Sequence, residues 1–244
     1  MKILALDSSA KTTSVALGDE TRIIAEFSAS VKLTHSQTLM PMLESLFSCT
    51  GIAPGDVDYF AVSAGPGSFT GLRIGIGAVK GLAYGSGKLC IPVSTLDALS
   101  RNLSGADGLI CAAMDARCNQ VYTALFDSTP GSICRMTEDS ALLIDELEKL
   151  LEEQGKHKKK IFFVGDGADL CYNKLKDRVP NLFLASEPLR FQKASSVILA
   201  ARDKLSADPG CAVSAAALAP VYLRLPQAQR ELLAKEKAAS EGAR

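Results

Sequence analysis

The chain has 244 residues, 47% of them hydrophobic and 22% charged, and its 27 basic residues balance 27 acidic ones. Such a chain suits one large globular domain or two small lobes with a real core. The zero formal net charge argues against a protein that binds nucleic acid alone through a broad basic surface, and leaves open nucleic-acid work shared with a basic partner.

The same composition predicts a cytoplasmic protein that does not enter a membrane. The first apolar run ends at Asp7 and is too short for a signal peptide. No run of about 18 apolar residues occurs. The seven cysteines are irregularly spaced and form no C-x-x-C pair, so we expect them to act as small reduced hydrophobic residues.

The first part of the chain predicts the order β-β-β-α-β-α-β-α. Alternating β-branched residues and the turn signal Gly18-Asp19 indicate an antiparallel meander, and an apolar stripe at helical spacing marks the first helix, which Ser36 would cap. We predict strands at residues 2–7, 12–17, 21–27, 57–64 and 89–93, and helices at 37–50, 70–84 and 95–103.

The second part of the chain repeats this order weakly, with an apolar strand that ends in Asp115 as the first strand ends in Asp7. The echo predicts an internal duplication. We expect a first lobe at 1–103, a second, smaller lobe at 104–226 and a polar tail at 227–244. Strands are predicted at 108–114, 121–126, 133–136 and 161–164, and helices at 142–151 and 194–205.

The turn Gly65–Gly71 lies between a predicted strand and a predicted helix, where backbone N–H groups can hold phosphate. Its spacing matches neither the Walker pattern nor the dinucleotide fingerprint. A tight turn that caps the next helix is the favoured interpretation. Asp7, at the carboxyl end of a strand, and Gly65 and Gly67 are weak candidates for ligand binding.

Five glycines in the following helix form two rows with a spacing of four, 71/75 and 77/81/85. Each interior glycine costs about 0.5–1 kcal/mol relative to alanine. We therefore expect another backbone to pack against this helix. It could belong to the helix at 37–50 or to a different chain, and burial inside the monomer is the alternative.

Other catalytic signals are weak. His35 and His157 are far apart and form no metal-binding pair, and no G-x-S-x-G elbow is present. The basic run 156–160 indicates a solvated loop or, alternatively, a small patch that attracts phosphate.

Four segments together resemble the TsaB family, also called YeaZ. They are Asp7 at the end of the first strand, the block Gly65–Gly75, the sequence Asp115-Ala116-Arg117, and the segment Pro220–Arg224. The resemblance covers roughly residues 1–226. It implies an α/β protein of the actin-like, sugar-kinase and heat-shock ATPase fold, with two tandem ribonuclease-H-like lobes of mixed sheets and flanking helices.

The resemblance also implies a role in making N6-threonylcarbamoyladenosine at position 37 of tRNAs that read codons beginning with A. The family supplies a non-catalytic subunit that binds the catalytic paralogue TsaD, is joined by the ATPase TsaE, and can form homodimers. It reaches tRNA only through the complex and has no metal or cofactor of its own, with ATP or ADP at the junction with partners. The partner surface would be a helical face of the first lobe with Leu39, Met42, Leu43, Leu46, Gly71, Gly75, Ala78 and Leu82.

Two other classes remain open. One is a small-molecule kinase or hydrolase of the same fold that uses Asp7 and the Gly65 loop. The other is a peptidase, for which the residues give no support.

Overall fold

The structure is a computed structural model that describes residues 1–155 and 160–224. His157, most of the predicted basic run and the predicted tail at 227–244 therefore lie outside the described residues.

The first lobe is built on a five-stranded mixed sheet of order β3-β2-β1-β4-β5. Strand β2 pairs antiparallel with both β3 and β1, whereas β1, β4 and β5 run parallel to one another. Its elements are β1 (Ile3–Asp7), β2 (Thr13–Gly18), β3 (Ile23–Ala29), α1 (His35–Thr50), β4 (Tyr59–Gly65), α2 (Phe69–Ser86), β5 (Leu89–Ser94) and α3 (Thr95–Arg101).

The second lobe has a six-stranded sheet of order β11-β10-β6-β7-β8, with β9 also paired to β7. The long hairpin of the first two strands repeats the start of the first lobe, and β10 runs parallel to its neighbours. Its strands are β6 (Gly108–Arg117), β7 (Gln120–Thr129), β8 (Ser132–Arg135), β9 (Ser140–Leu143), β10 (Ile161–Val164) and β11 (Leu182–Leu184). The helices that follow β9 are α4 (Ile144–Gly155), α5 (Ala168–Leu175), α6 (Glu187–Arg190) and α7 (Ala194–Ala207).

Strand β1 is buried on both faces, which explains its continuous apolar run. Leu4 and Leu6 point towards the core that contains the apolar side of α1 and α2. Ile3 and Ala5 point to the opposite face, where they pack with α7. Alternate side chains of β1 thus face two different layers of helices, one on each side of the sheet. Two mixed sheets with flanking helices confirm the fold class predicted from the sequence.

The end of the chain does not remain with the second sheet. Helix α7 packs on the first sheet, and Val213 forms a bridge with Cys90 at the edge strand β5. The prediction that 104–226 forms the second lobe is therefore wrong from α7 onwards. The sequence predicted a helix at 194–205, but its apolar residues match either sheet equally well.

Helix α1 begins at His35, two residues before the predicted start, and its N-cap is Thr34 rather than Ser36. The Gln37 side chain accepts a hydrogen bond from the Thr34 N–H at 3.0 Å.

Among the described residues, no helix is long and apolar enough to cross a bilayer.

Candidate functional site

Asp7 ends β1 as predicted, but its carboxylate is buried and fully engaged by the protein itself. Oδ1 accepts hydrogen bonds from the Ser9 N–H at 2.9 Å and the Ser9 hydroxyl at 2.7 Å. Oδ2 accepts one from the Ser63 hydroxyl at 2.5 Å. Burial raises the pKa of Asp7, and the bonds from Ser63 and Ser9 oppose that rise. The geometry makes this carboxylate a lock between β1 and β4.

The turn Gly65–Gly71 is held by two other parts of the chain. A Cβ at Gly65 would collide with the Val221 carbonyl oxygen, and one at Gly67 would lie 2.6 Å from the Ser9 carbonyl oxygen. The N–H of Ser68 donates to that same Ser9 oxygen at 2.7 Å. Its side chain caps α2, because Ser68 Oγ accepts from the Gly71 N–H at 3.3 Å. The glycines of this turn therefore serve close packing and a helix cap.

The first glycine row of α2 has an intramolecular explanation. Ser8 lies against it and donates its hydroxyl to the Gly71 carbonyl oxygen at 2.8 Å. A Cβ at Gly71 or at Gly75 would overlap with Ser8. The close backbone is thus the turn after β1, and the expectation that these two glycines form a partner surface is wrong because they are buried.

The second glycine row is different. Gly77, Gly81 and Gly85 are exposed, and a Cβ on any of them would meet no described atom within 4 Å. Tyr84 lies beside this row on α2 with 86% of its surface exposed. Nothing in the described chain requires glycine at these three helical positions.

The apolar stripe of α1 faces its own sheet. Leu39, Leu43 and Leu46 are 0–1% exposed and belong to the core of the first lobe. The prediction that they contact a partner is therefore wrong for the monomer described. Met42, Ala78 and Leu82 are partly buried at the margin of the same core. Met40 is 46% exposed. It lies off the apolar stripe, so the helical spacing did not mark it as a candidate surface residue of α1.

A cleft of about 380 Å³ separates the two lobes. Its walls come from the turn after β1, the start of α2, the end of β6 and the last described residues. Gly67 lines it, whereas Asp7 does not. Of the described residues that line the cleft, Lys11, Arg117 and Arg224 are cationic, and Asp115 and Asp166 are acidic.

Asp166 lies where β10 meets β6, on a turn whose two flanking glycines allow very close contact. A Cβ at Gly167 would lie 2.8 Å from the Met114 carbonyl carbon. Burial and the nearby Asp115 carboxylate raise the pKa of Asp166 to about 6. Its Oδ1 has no hydrogen-bond partner among the described residues. The sequence showed Asp115 as the echo of Asp7, but it did not indicate that the Asp166 carboxylate lies near it.

The motif Pro220–Arg224 forms a strap across the cleft. The N–H of Val221 donates to the Ala64 carbonyl oxygen at 2.7 Å, and the Tyr222 ring stacks on Phe69 with centroids 4.6 Å apart. Arg224 reaches the other lobe and donates to the Ala116 carbonyl oxygen at 2.5 Å. The strap therefore ties the turn before α2 to the end of β6.

His35 fixes the start of α1 to the turn after β1. Nε2 lies 2.8 Å from the Ala10 carbonyl oxygen, which can only accept, so Nε2 carries the hydrogen. In the neutral imidazole Nδ1 then accepts from the Thr13 hydroxyl, which lies 2.6 Å away. Within residues 1–155 and 160–224, no three His, Cys, Asp or Glu side chains are grouped to hold a metal ion.

Comparisons with known proteins agree with the resemblance. The family model described as "TsaD: tRNA N6-adenosine threonylcarbamoyltransferase" matches residues 22–232. The Bacillus subtilis tRNA threonylcarbamoyladenosine biosynthesis protein TsaB is 33% identical over 97% of this chain and 100% of its own length. The Escherichia coli protein of the same name is 36% identical over 60% of this chain and 64% of its own length. The structure of YeaZ from Pseudomonas aeruginosa matches with a TM-score of 0.72 and 29% identity, over 91% of this chain and 99% of that one.

Proposed function

Since the chain belongs to the TsaB (YeaZ) family of tRNA threonylcarbamoyladenosine biosynthesis proteins, we propose that it acts in that pathway as a non-catalytic subunit that binds the catalytic paralogue TsaD. The curated names of its relatives place the family in the biosynthesis of this tRNA modification.

The exposed glycine row of α2 carries this proposal. Three interior helical glycines cost about 1.5–3 kcal/mol in total relative to alanine, and no intramolecular contact of the described residues accounts for Gly77, Gly81 or Gly85. Small residues in a row let a second helix approach closely, and the exposed Tyr84 ring beside them is a residue type enriched at protein interfaces. The partner surface is therefore the outer face of α2, rather than the apolar stripe of α1.

The buried and fully hydrogen-bonded Asp7 carboxylate supports a non-catalytic role. Both of its oxygens accept hydrogen bonds from Ser9 and Ser63, and it does not line the cleft. A kinase or hydrolase that used Asp7 and the Gly65 loop would need this carboxylate to face a ligand.

In the complex that we propose, the ATPase TsaE binds together with TsaD and this chain. ATP or ADP is held at the junction between the subunits, and this chain reaches tRNA only through the complex. The same face of α2 would pair two copies when the partner is absent.

The test uses Gly81→Leu. Leucine is a good helix former and the site is open, so this variant should unfold at a higher urea concentration than the parent while its affinity for purified TsaD falls by at least about tenfold. Gly55→Leu, which adds the same side chain at an open position outside the helix, is the matched control and should bind TsaD normally. Unchanged TsaD affinity in a folded Gly81→Leu variant would show that the outer face of α2 is not the interface.

A further inference from the structure

A second surface of the first lobe combines exposed aliphatic side chains with positive charge. It is a groove of about 570 Å³ where the loop after β3 faces the starts of α1 and α2, and we call it the lysine groove. Val31 and Leu33, which line it, are 53% and 59% exposed. Lys11 and Lys32 also line it and are exposed. Exposed aliphatic residues gathered at one groove mark a site of interaction.

The electrostatics of the lysine groove have one sign. Of the described residues that line it, none is an aspartate or a glutamate. Thr34 and His35 bring the N-terminus of α1 to the groove, and Ser68 and Thr70 bring that of α2. Neither helix has an acidic residue in its first turn. Two partial positive charges of the helix macrodipoles therefore add to two ammonium groups.

The apolar part of the groove favours a protein segment over RNA. Single-stranded RNA is bound on exposed aromatic rings, whereas the apolar side chains here are the aliphatic Val31, Leu33 and Ile74. Among the described residues that line the groove, His35 supplies the one ring, and its two nitrogens are engaged by Thr13 and Ala10. We propose that the lysine groove docks a segment of the partner subunit that carries carboxylates next to aliphatic side chains.

This inference rests on the proposed function, because it places a second contact with the same partner at the N-terminal ends of the two helices. Ile74 and Gly71 of α2 line the groove, so it continues from the helix whose outer face carries the glycine row. The helix face would supply close packing, and the groove would supply charge complementarity and register.

The experiment is zero-length carbodiimide cross-linking of the purified complex with TsaD, which joins lysine amines to carboxylates. We expect Lys11 or Lys32 to be joined to aspartate or glutamate of TsaD. The Lys11→Arg/Lys32→Arg variant should keep its affinity and lose these cross-links, since arginine keeps the charge but has no amine. The charge reversal Lys11→Glu/Lys32→Glu should weaken TsaD binding by about tenfold or more and reduce its dependence on salt.

The outcomes separate the two proposals. If TsaD binds the parent chain and the charge-reversed variant equally well, or if the cross-links join two copies of this chain, the lysine groove is not the docking site and the proposed function stands. If charge reversal weakens only tRNA binding to the complex, the occupant is RNA and the inference is wrong. If TsaD does not bind the parent chain, both proposals fail.

The variant Val31→Ser/Leu33→Ser tests the aliphatic part of the groove. It should weaken TsaD binding without changing the salt dependence of that binding.

Discussion

The Ser8 hydroxyl donates a hydrogen bond to the Gly71 carbonyl oxygen at 2.8 Å and so joins the turn after β1 to the first turn of α2. The contact is close enough that Ser8 leaves no room for a Cβ on Gly71 or Gly75. The two glycine rows of α2 have the same spacing, but only the first packs against Ser8. We therefore expect substitutions in the two rows to have different effects on stability.

Gly71→Ala should destabilise the protein by about 1–3 kcal/mol, the usual cost of overpacking, because the new methyl group overlaps with the Ser8 backbone. Gly77→Ala, in the same helix but in open space, should stabilise it by about 0.5–1 kcal/mol. Urea unfolding of the two variants beside the parent measures both effects. Two shifts of the same sign would contradict the distinction between the rows.

The Asp115–Asp166 pair predicts a pH dependence of stability. The pKa of Asp166 is raised from 3.8 to about 6 in the folded state, so its contribution to the free energy of unfolding is fully present below pH 3.8 and is lost as the pH rises to about 6. A pKa difference of this size corresponds to at most about 3 kcal/mol.

Asp166→Asn should therefore abolish this loss and unfold at a higher urea concentration than the parent at pH 7. Asp115→Asn should reduce the loss, because it removes the repulsion that is the second cause of the shift. Unfolding free energies measured from about pH 3.5 to pH 7 provide the comparison. A parent and an Asp166→Asn variant whose stabilities stay parallel across this range would show that the pair does not titrate as described.

The strap predicts that Tyr222 stabilises the fold through its ring. Tyr222→Ala removes the stack on Phe69 and should cost about 1 kcal/mol or more. Tyr222→Phe keeps the stack and loses only the exposed hydrogen bond from Arg73 to the hydroxyl, so it should remain within about 0.5 kcal/mol of the parent. Amide hydrogen exchange should increase in the turn before α2 only for Tyr222→Ala. Equal effects of the two variants would assign the contribution to the hydroxyl.

The sequence was sufficient for the order of elements in the first lobe, because the periodicity of each segment follows from its own burial. In the second part of the chain it missed β9, α5, β11 and α6, which have eight residues or fewer and are too short to show a clear period. It could not assign Leu39, Leu43 and Leu46, since a helical apolar stripe looks the same whether it faces its own sheet or another chain. The structure places these leucines in the core.

The two glycine rows raise the same difficulty. Gly71 and Gly77 both lie in rows with a spacing of four, and only tertiary structure shows that Ser8 occupies the space beside the first row. Helix α7 could likewise not be assigned to the first sheet, because its small apolar residues fit either lobe. The missing information in each case is which surfaces meet.

The Ser63 hydroxyl and the Asp7 carboxylate form the lock between β1 and β4. Ser63→Ala removes the donor to Asp7 Oδ2 and leaves a buried carboxylate oxygen without that hydrogen bond. Hydrogen bonds to charged groups contribute about 1.5–3 kcal/mol, so this variant should lose stability by about that amount at a pH where Asp7 is ionised. The Ser63 bond is also the largest influence that lowers the pKa of Asp7 against the effect of burial. Its removal should raise that pKa further.

The penalty should therefore be smaller at about pH 3.5, where a protonated Asp7 has no charge left to stabilise, and should grow as the pH rises through the folded pKa. Asp7→Asn supplies the control: in that background Ser63→Ala should show no pH dependence, because no carboxylate remains at the site. Urea unfolding of the four proteins at about pH 3.5 and at a series of higher pH values that passes the folded pKa of Asp7 measures the coupling as a double-mutant cycle. A pH-dependent penalty that persists with asparagine at position 7 would have to arise from another titrating group, and the lock between Asp7 and Ser63 would then be refuted.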